Sequence, residues 1–263
     1  MTADISQVEL QRARWRRALA RLAIDSDDRE DFATRGLASR LRNITVQLIL
    51  LPSDPEATPV VLDDDLAARL KRGNGIMLDR VRVALPANER RTAHALAFSD
   101  YYDSGWTTYY AIHRSGTLEF GLGGRGGWEG TGRDGEFVRM ILLTPTVARA
   151  WALLRVADEM YRDDQVSGPF QFTVAVRNTD GALLGGLGEG WAEPGDWSNN
   201  LGACAERHLL WHLELDEIPN ESGARAFAYA IGDRLEQAWG SAHRRYLAER
   251  GVYAGHLDPR RVN

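Results

Sequence analysis

The sequence predicts an α+β fold, with a mostly antiparallel or mixed sheet, a helical N-terminal segment and a long C-terminal helix. Two observations carry this. Strand-like segments follow one another through hairpin turns instead of alternating with helices. Helical periodicity is concentrated at the two ends of the chain, with two further helices between strands.

At the N-terminus, Ile5, Val8, Trp15, Leu19 and Leu22 recur at helical spacing, while Arg14, Arg17 and Arg21 fall on the opposite face. Asp25–Asp28 interrupts the pattern and is placed to cap a second helix over about 28–42. A strand follows at 44–51, ended by Pro52. Asp63–Asp65 forms the acidic start of a short helix reaching Arg72. Residues 76–85 and 92–98 read as strands, with Pro86-Ala87-Asn88 as the turn between them. Trp106–Arg114 and Thr117–Leu122 form a hairpin about Ser115-Gly116, with Leu118, Phe120 and Leu122 on one face and Thr117 and Glu119 on the other. A glycine-rich loop spans 121–135, and Phe137–Leu143 returns to strand.

Thr144-Pro145 reads as an N-cap followed by proline at the first helical position, opening a helix to about Arg162. In Phe170–Arg177, phenylalanine and valine alternate with Gln171, Thr173 and Ala175, so one buried face is expected. Residues 181–200 read as loop and 206–216 as strand. Ala224, Phe227, Ile231, Leu235, Ala238 and Ala242 mark the last, long helix, with Gly240 as a place where it could break. The expected division is a helical segment with a few strands over 1–90 and an α+β domain over 91–263.

Composition bounds the function class. Of 263 residues, 44% are hydrophobic and 26% charged, the balance of a globular chain with a packed core. A single cysteine, Cys204, excludes an internal disulfide and favours a reducing compartment. Neither a signal-peptide pattern nor a membrane-length apolar run occurs, so a cytoplasmic location with no membrane contact is expected. The net charge of −5 argues against a protein that coats nucleic acid over its whole surface.

Four constellations could carry chemistry. Gly121-x-Gly123-x-x-Gly126, with Arg125 inside it, has the glycines of a phosphate-binding turn but is not followed by a helix. The aromatic run Tyr101–Tyr110 lacks neighbouring basic residues and reads as packing. The basic run Arg12, Arg14, Arg16, Arg17 and Arg21 could meet phosphates or an acidic partner. On the strand 207–216, period two points Leu209, Trp211, Leu213 and Leu215 inward and His208, His212, Glu214 and Asp216 outward. His208 and His212 are then about 13 Å apart by strand rise, too far for one metal. No catalytic residue, metal site or cofactor is expected. The candidate binding residues are Arg14, Arg17, Arg21, Arg125, His208, His212 and Glu214.

The hairpin Ala111-Ile112-His113-Arg114-Ser115-Gly116-Thr117-Leu118-Glu119-Phe120 resembles a pattern in bacterial Schlafen-like, divergent Alba-type proteins, where it follows the DNA-binding domain. Phe170-Gln171-Phe172, the strand Leu210–Asp216, and a long helix with Asp233-Arg234-Leu235 and Trp239 extend the resemblance over about 95–257. The resemblance implies the accessory region of that class without its nucleotide-binding domain, in a bacterial regulatory or defence setting. It implies a non-catalytic, regulatory protein-interaction subunit with a protein partner, any link to nucleic acid running through that partner. A hydrolase acting on a nucleotide or nucleic acid, and a direct nucleic-acid-binding module, are the alternatives. Oligomeric state has no signature in the sequence.

Overall fold

The structure is a computed structural model that describes residues 2–21, 44–71, 75–101, 107–123, 128–131, 137–164, 166–177, 179–185, 204, 206–241, 243–259 and 262. It is an α+β fold. The main sheet has seven strands. β1 (Ile44–Leu51) lies inside it, flanked by β7 (Leu118–Gly123) and β10 (Phe170–Arg177). Beyond β7 lie β6 (Thr107–His113), β5 (Ala95–Tyr101) and β4 (Asn88–Arg91). Beyond β10 lies β12 (His208–Leu215), which forms the opposite edge. Every pairing in this sheet is antiparallel. Residue 90, the expected division, lies within β4, and β1 pairs with strands on its other side.

The even-numbered side chains of β1, β6, β7 and β10 form one face. Leu48, Leu50, Tyr110, Phe120, Phe172 and Val174 are buried there. Against them pack α3 (Leu143–Asp164) and α4 (Glu221–Ala238). Phe172 meets Phe227 of α4 edge-on at 5.0 Å, and Tyr161 of α3 stacks on Phe170 at 5.3 Å. Asn220 caps α4 by accepting from the Gly223 N–H at 3.0 Å. α2 (Asp64–Lys71) is opened by Asp63, whose carboxylate accepts from the Leu66 N–H at 2.8 Å. It adds Leu66 and Ala67 to the same core. The opposite sheet face is partly covered by α1 (Thr2–Arg21), which places Trp15 and Leu19 against Ile49, Leu51 and Ala175.

Several local expectations need correction. Residues 76–85 are not one strand but the hairpin of β2 (Ile76–Leu78) and β3 (Val81–Val83), turned at Asp79 with φ +48°. Asn88, expected in a turn, begins β4. The glycine-rich stretch contains β8 (Trp128–Thr131), which pairs with β9 (Phe137–Leu142). Within the expected loop at 181–200, β11 (Leu183–Gly185) runs parallel to β9. α3 begins at Leu143, and the buried Thr144 hydroxyl has no hydrogen-bond partner, so Thr144 is not its cap. β10 is buried on both faces; on the side that alternation assigned to solvent, α1 packs over Ala175. The helix expected over 28–42 lies outside the described residues. Among the described residues, no helix is long and apolar enough to cross a membrane.

Candidate functional site

The sheet face opposite α3 and α4 carries a polar centre. Across it, Gln47 of β1 faces Gly121 of β7, and Gly121 faces Tyr109 of β6. A Cβ at position 121 would fall 1.9 Å from the Tyr109 ring, so the glycine makes room for the ring to lie across β7. The Tyr109 hydroxyl then donates to Glu119 Oε2 at 2.9 Å, and Gln47 Nε2 donates to the Tyr109 oxygen at 3.0 Å. Gln47 Nε2 is also 3.4 Å from Glu119 Oε2. His113, at the end of β6, places Nε2 2.9 Å from the other oxygen, Oε1. The Glu119 side chain has no exposed surface, whereas that of His113 is 14% exposed.

This geometry follows from the hairpin. Gly116, with φ +82°, closes the turn between β6 and β7, and His113 N–H bonds to Thr117 O at 2.9 Å. That register places Glu119 opposite Ala111, whose small side chain leaves space beside the carboxylate. Chemically, the carboxylate orients an imidazole, and an imidazole so held can accept or deliver a proton. Among the described residues, no group of three or more His, Cys, Asp or Glu side chains could hold a metal.

A second buried carboxylate, Glu236 of α4, differs in kind. It accepts the backbone N–H of Arg244 at 2.7 Å and that of Arg245, so it anchors the turn after the helix.

Of the sequence-predicted binding residues, His208, His212 and Glu214 lie on the same sheet face, at the β12 edge. His208, His212 and Glu214 are exposed on β12. His212 Nδ1 lies 3.0 Å from Thr173 Oγ1, and Glu214 pairs with Arg12 of α1 at 2.7 Å. The structure thus joins the basic helix to the β12 face through Arg12. Arg14 is half-buried and Arg17 exposed; the Arg21 side chain and Arg125 lie outside the described residues. α1 is held to the end of β1 by its apolar face: Trp15 Nε1 donates to Pro52 O at 2.8 Å, and Gln11 donates to Ser53 O at 2.6 Å.

The two sheet edges differ. β4 is a charged edge: Asn88, Glu89, Arg90 and Arg91 are all exposed. Lys71 bonds Glu89 at 2.6 Å and holds that carboxylate below the usual range. Charged edges resist strand addition. β12 instead reads His-Leu-Leu-Trp-His-Leu-Glu-Leu. Leu210 is 44% exposed, and Trp211, Leu213 and Leu215 are only half-buried although they pack on the core.

Sequence reasoning missed Glu119, Gln47, Tyr109 and His113 as a group. The available signal was Glu119 alternating with Leu118 and Phe120, together with a glycine at 121 in a β-rich run. No protein-family model, curated protein or solved structure matches the chain.

Proposed function

We propose that this protein is a non-catalytic binding subunit that engages another protein chain through the β12 edge of its sheet, within a bacterial regulatory or defence assembly. The observation that carries this reading is an eight-residue edge strand at the end of the sheet, with an exposed leucine and half-buried leucine and tryptophan side chains. Such an edge offers a row of main-chain donors and acceptors for strand addition, with side-chain pockets for specificity. The likeness of residues 95–257 to a Schlafen-like accessory region supports the same reading.

Leu210→Lys tests it, because lysine on an edge strand opposes pairing. Affinity purification should recover a bound chain with the unaltered protein and lose it with Leu210→Lys, while melting temperatures agree. Equal recovery from both would remove the edge from the interface.

A hydrolase acting on a nucleotide or nucleic acid is the second reading, favoured by the His113–Glu119 pair. Hydrolysis of nucleotides and oligonucleotides that is abolished by His113→Ala would support it. Equal rates from both proteins would exclude the pair.

A further inference from the structure

We infer that the chain bound at β12 is a second copy of this protein, its β12 running antiparallel to the first and centred on residue 212. This rests on the reading of β12 as an interaction edge and names the occupant.

The argument begins with charge. His208 opens the strand with Arg207 immediately before it; Asp216 and Glu217 immediately follow it. All four are exposed, and none has a side-chain ion-pair partner among the described residues. An antiparallel second copy brings the basic start of each strand against the acidic end of the other. Directly opposed residues must share a sheet face, so only registers centred on a residue are allowed.

Centred on 212, Arg207 faces Glu217 of the second copy and His208 faces Asp216. Leu209 faces Leu215, and Trp211 faces Leu213. Leu210 faces Glu214, whose carboxylate already turns to Arg12, leaving its methylene stem to meet the leucine. Opposite charges and apolar pairs directly across a ladder are both stabilising. Centred one residue earlier, Glu206 would face Asp216, a like-charge pair. A parallel in-register pairing would stack each charge on its own copy.

Packing points the same way. Leu209, Trp211, Leu213 and Leu215 belong to the face covered by α3 and α4, yet all but Leu209 remain half-exposed at this edge. A second sheet placed edge to edge covers them with the same four residues of its own. The interface is then isologous and closes at two copies.

The test uses the full chain in sedimentation at low ionic strength and micromolar concentration. The unaltered protein should sediment at twice its chain mass. Arg207→Glu and Glu217→Arg should each weaken dimerisation roughly tenfold, since each turns two attractive pairs into repulsive ones. Mixed in equal amounts, the two variants should recover the original affinity, because every charged pair is then opposite in sign. A monomeric unaltered protein, a dimer indifferent to both variants, or a mixture no tighter than its components would each overturn the inference. A monomer whose binding of a different protein is lost in Leu210→Lys would overturn the second copy while leaving the edge as the interface.

Discussion

At the scale of single residues, Glu119 is the most demanding position. A carboxylate removed from water keeps its charge only when donors replace its hydration, and an unpaired one costs several kcal/mol. Tyr109, Gln47 and His113 supply that replacement, and Gly121 makes the Tyr109 contact sterically possible. Gly121→Ala places a methyl group inside the ring's volume, so the ring must leave and its bond to the carboxylate is lost with it. We expect Gly121→Ala to cost more than Tyr109→Phe. The latter removes only the hydroxyl, about 1–3 kcal/mol for a bond to a buried charged group, whereas the former adds an overpacking cost of about 1–3 kcal/mol. Urea melts of the two variants check the order. Equal costs would mean that the ring finds another route to Glu119.

At the scale of elements, α1 and β12 meet the sheet differently. Trp15 is 1% exposed and caps Ile49, Leu51 and Ala175, while Trp211 is half-buried at the edge. Trp15→Ala should cost about 3–5 kcal/mol, the range for emptying a large aromatic site. Trp211→Ala should cost about half that, and His212→Ala about 1 kcal/mol through its bond to Thr173. Trp15→Ala should also speed hydrogen exchange in α1 and on the β10 face beneath it. Denaturant melts with exchange mass spectrometry would show whether α1 loosens separately from the core.

Legibility in the sequence follows the range of the forces involved. β1, the β6–β7 hairpin, β12 and α4 were readable because period and turn glycines are local. The β2–β3 hairpin was not, because its turn uses Asp79 at positive φ where glycine is the usual marker. β10 looked half-solvated because Gln171 and Thr173 are polar, and nothing local reveals that α1 returns to cover its face. Glu119 was hidden for the same reason: an alternating glutamate in a hairpin ordinarily faces water. On β12 the alternation correctly separated Leu209 and Trp211 from His208 and His212. The Arg12–Glu214 pair, joining two candidate surfaces across about two hundred residues, had no local trace.

At the scale of the whole molecule, one packed core couples residues distant in the chain, and its buried phenols give that coupling a pH signature. Burial pushes the ionisation of Tyr110 and Tyr161 well above the ordinary tyrosine value. Arg149 partly offsets the shift at Tyr110, and the Tyr161 hydroxyl donates to Gly116 O at 2.5 Å. Tyr246 is raised by burial and then by Asp233, and half-buried Tyr229 is raised chiefly by burial. A raised folded-state pKa means that the stability these groups contribute is fully present below pH about 10. Above that, the unfolded chain loses phenolic protons that the folded chain retains. Stability therefore falls with rising pH, by up to about 1.4 kcal/mol per pH unit for each fully buried phenol and less for half-buried Tyr229. Absorbance at 295 nm, followed with far-ultraviolet circular dichroism through an alkaline titration, should separate two classes among the eight tyrosines. Any phenol that keeps contact with water should ionise earlier in the titration, with the helix signal intact. Tyr110 and Tyr161 should ionise only in a cooperative step that coincides with loss of that signal. A single smooth titration of all eight with the secondary structure preserved would mean that water reaches these hydroxyls, and that the core between α3 and the β6–β7 hairpin opens without unfolding.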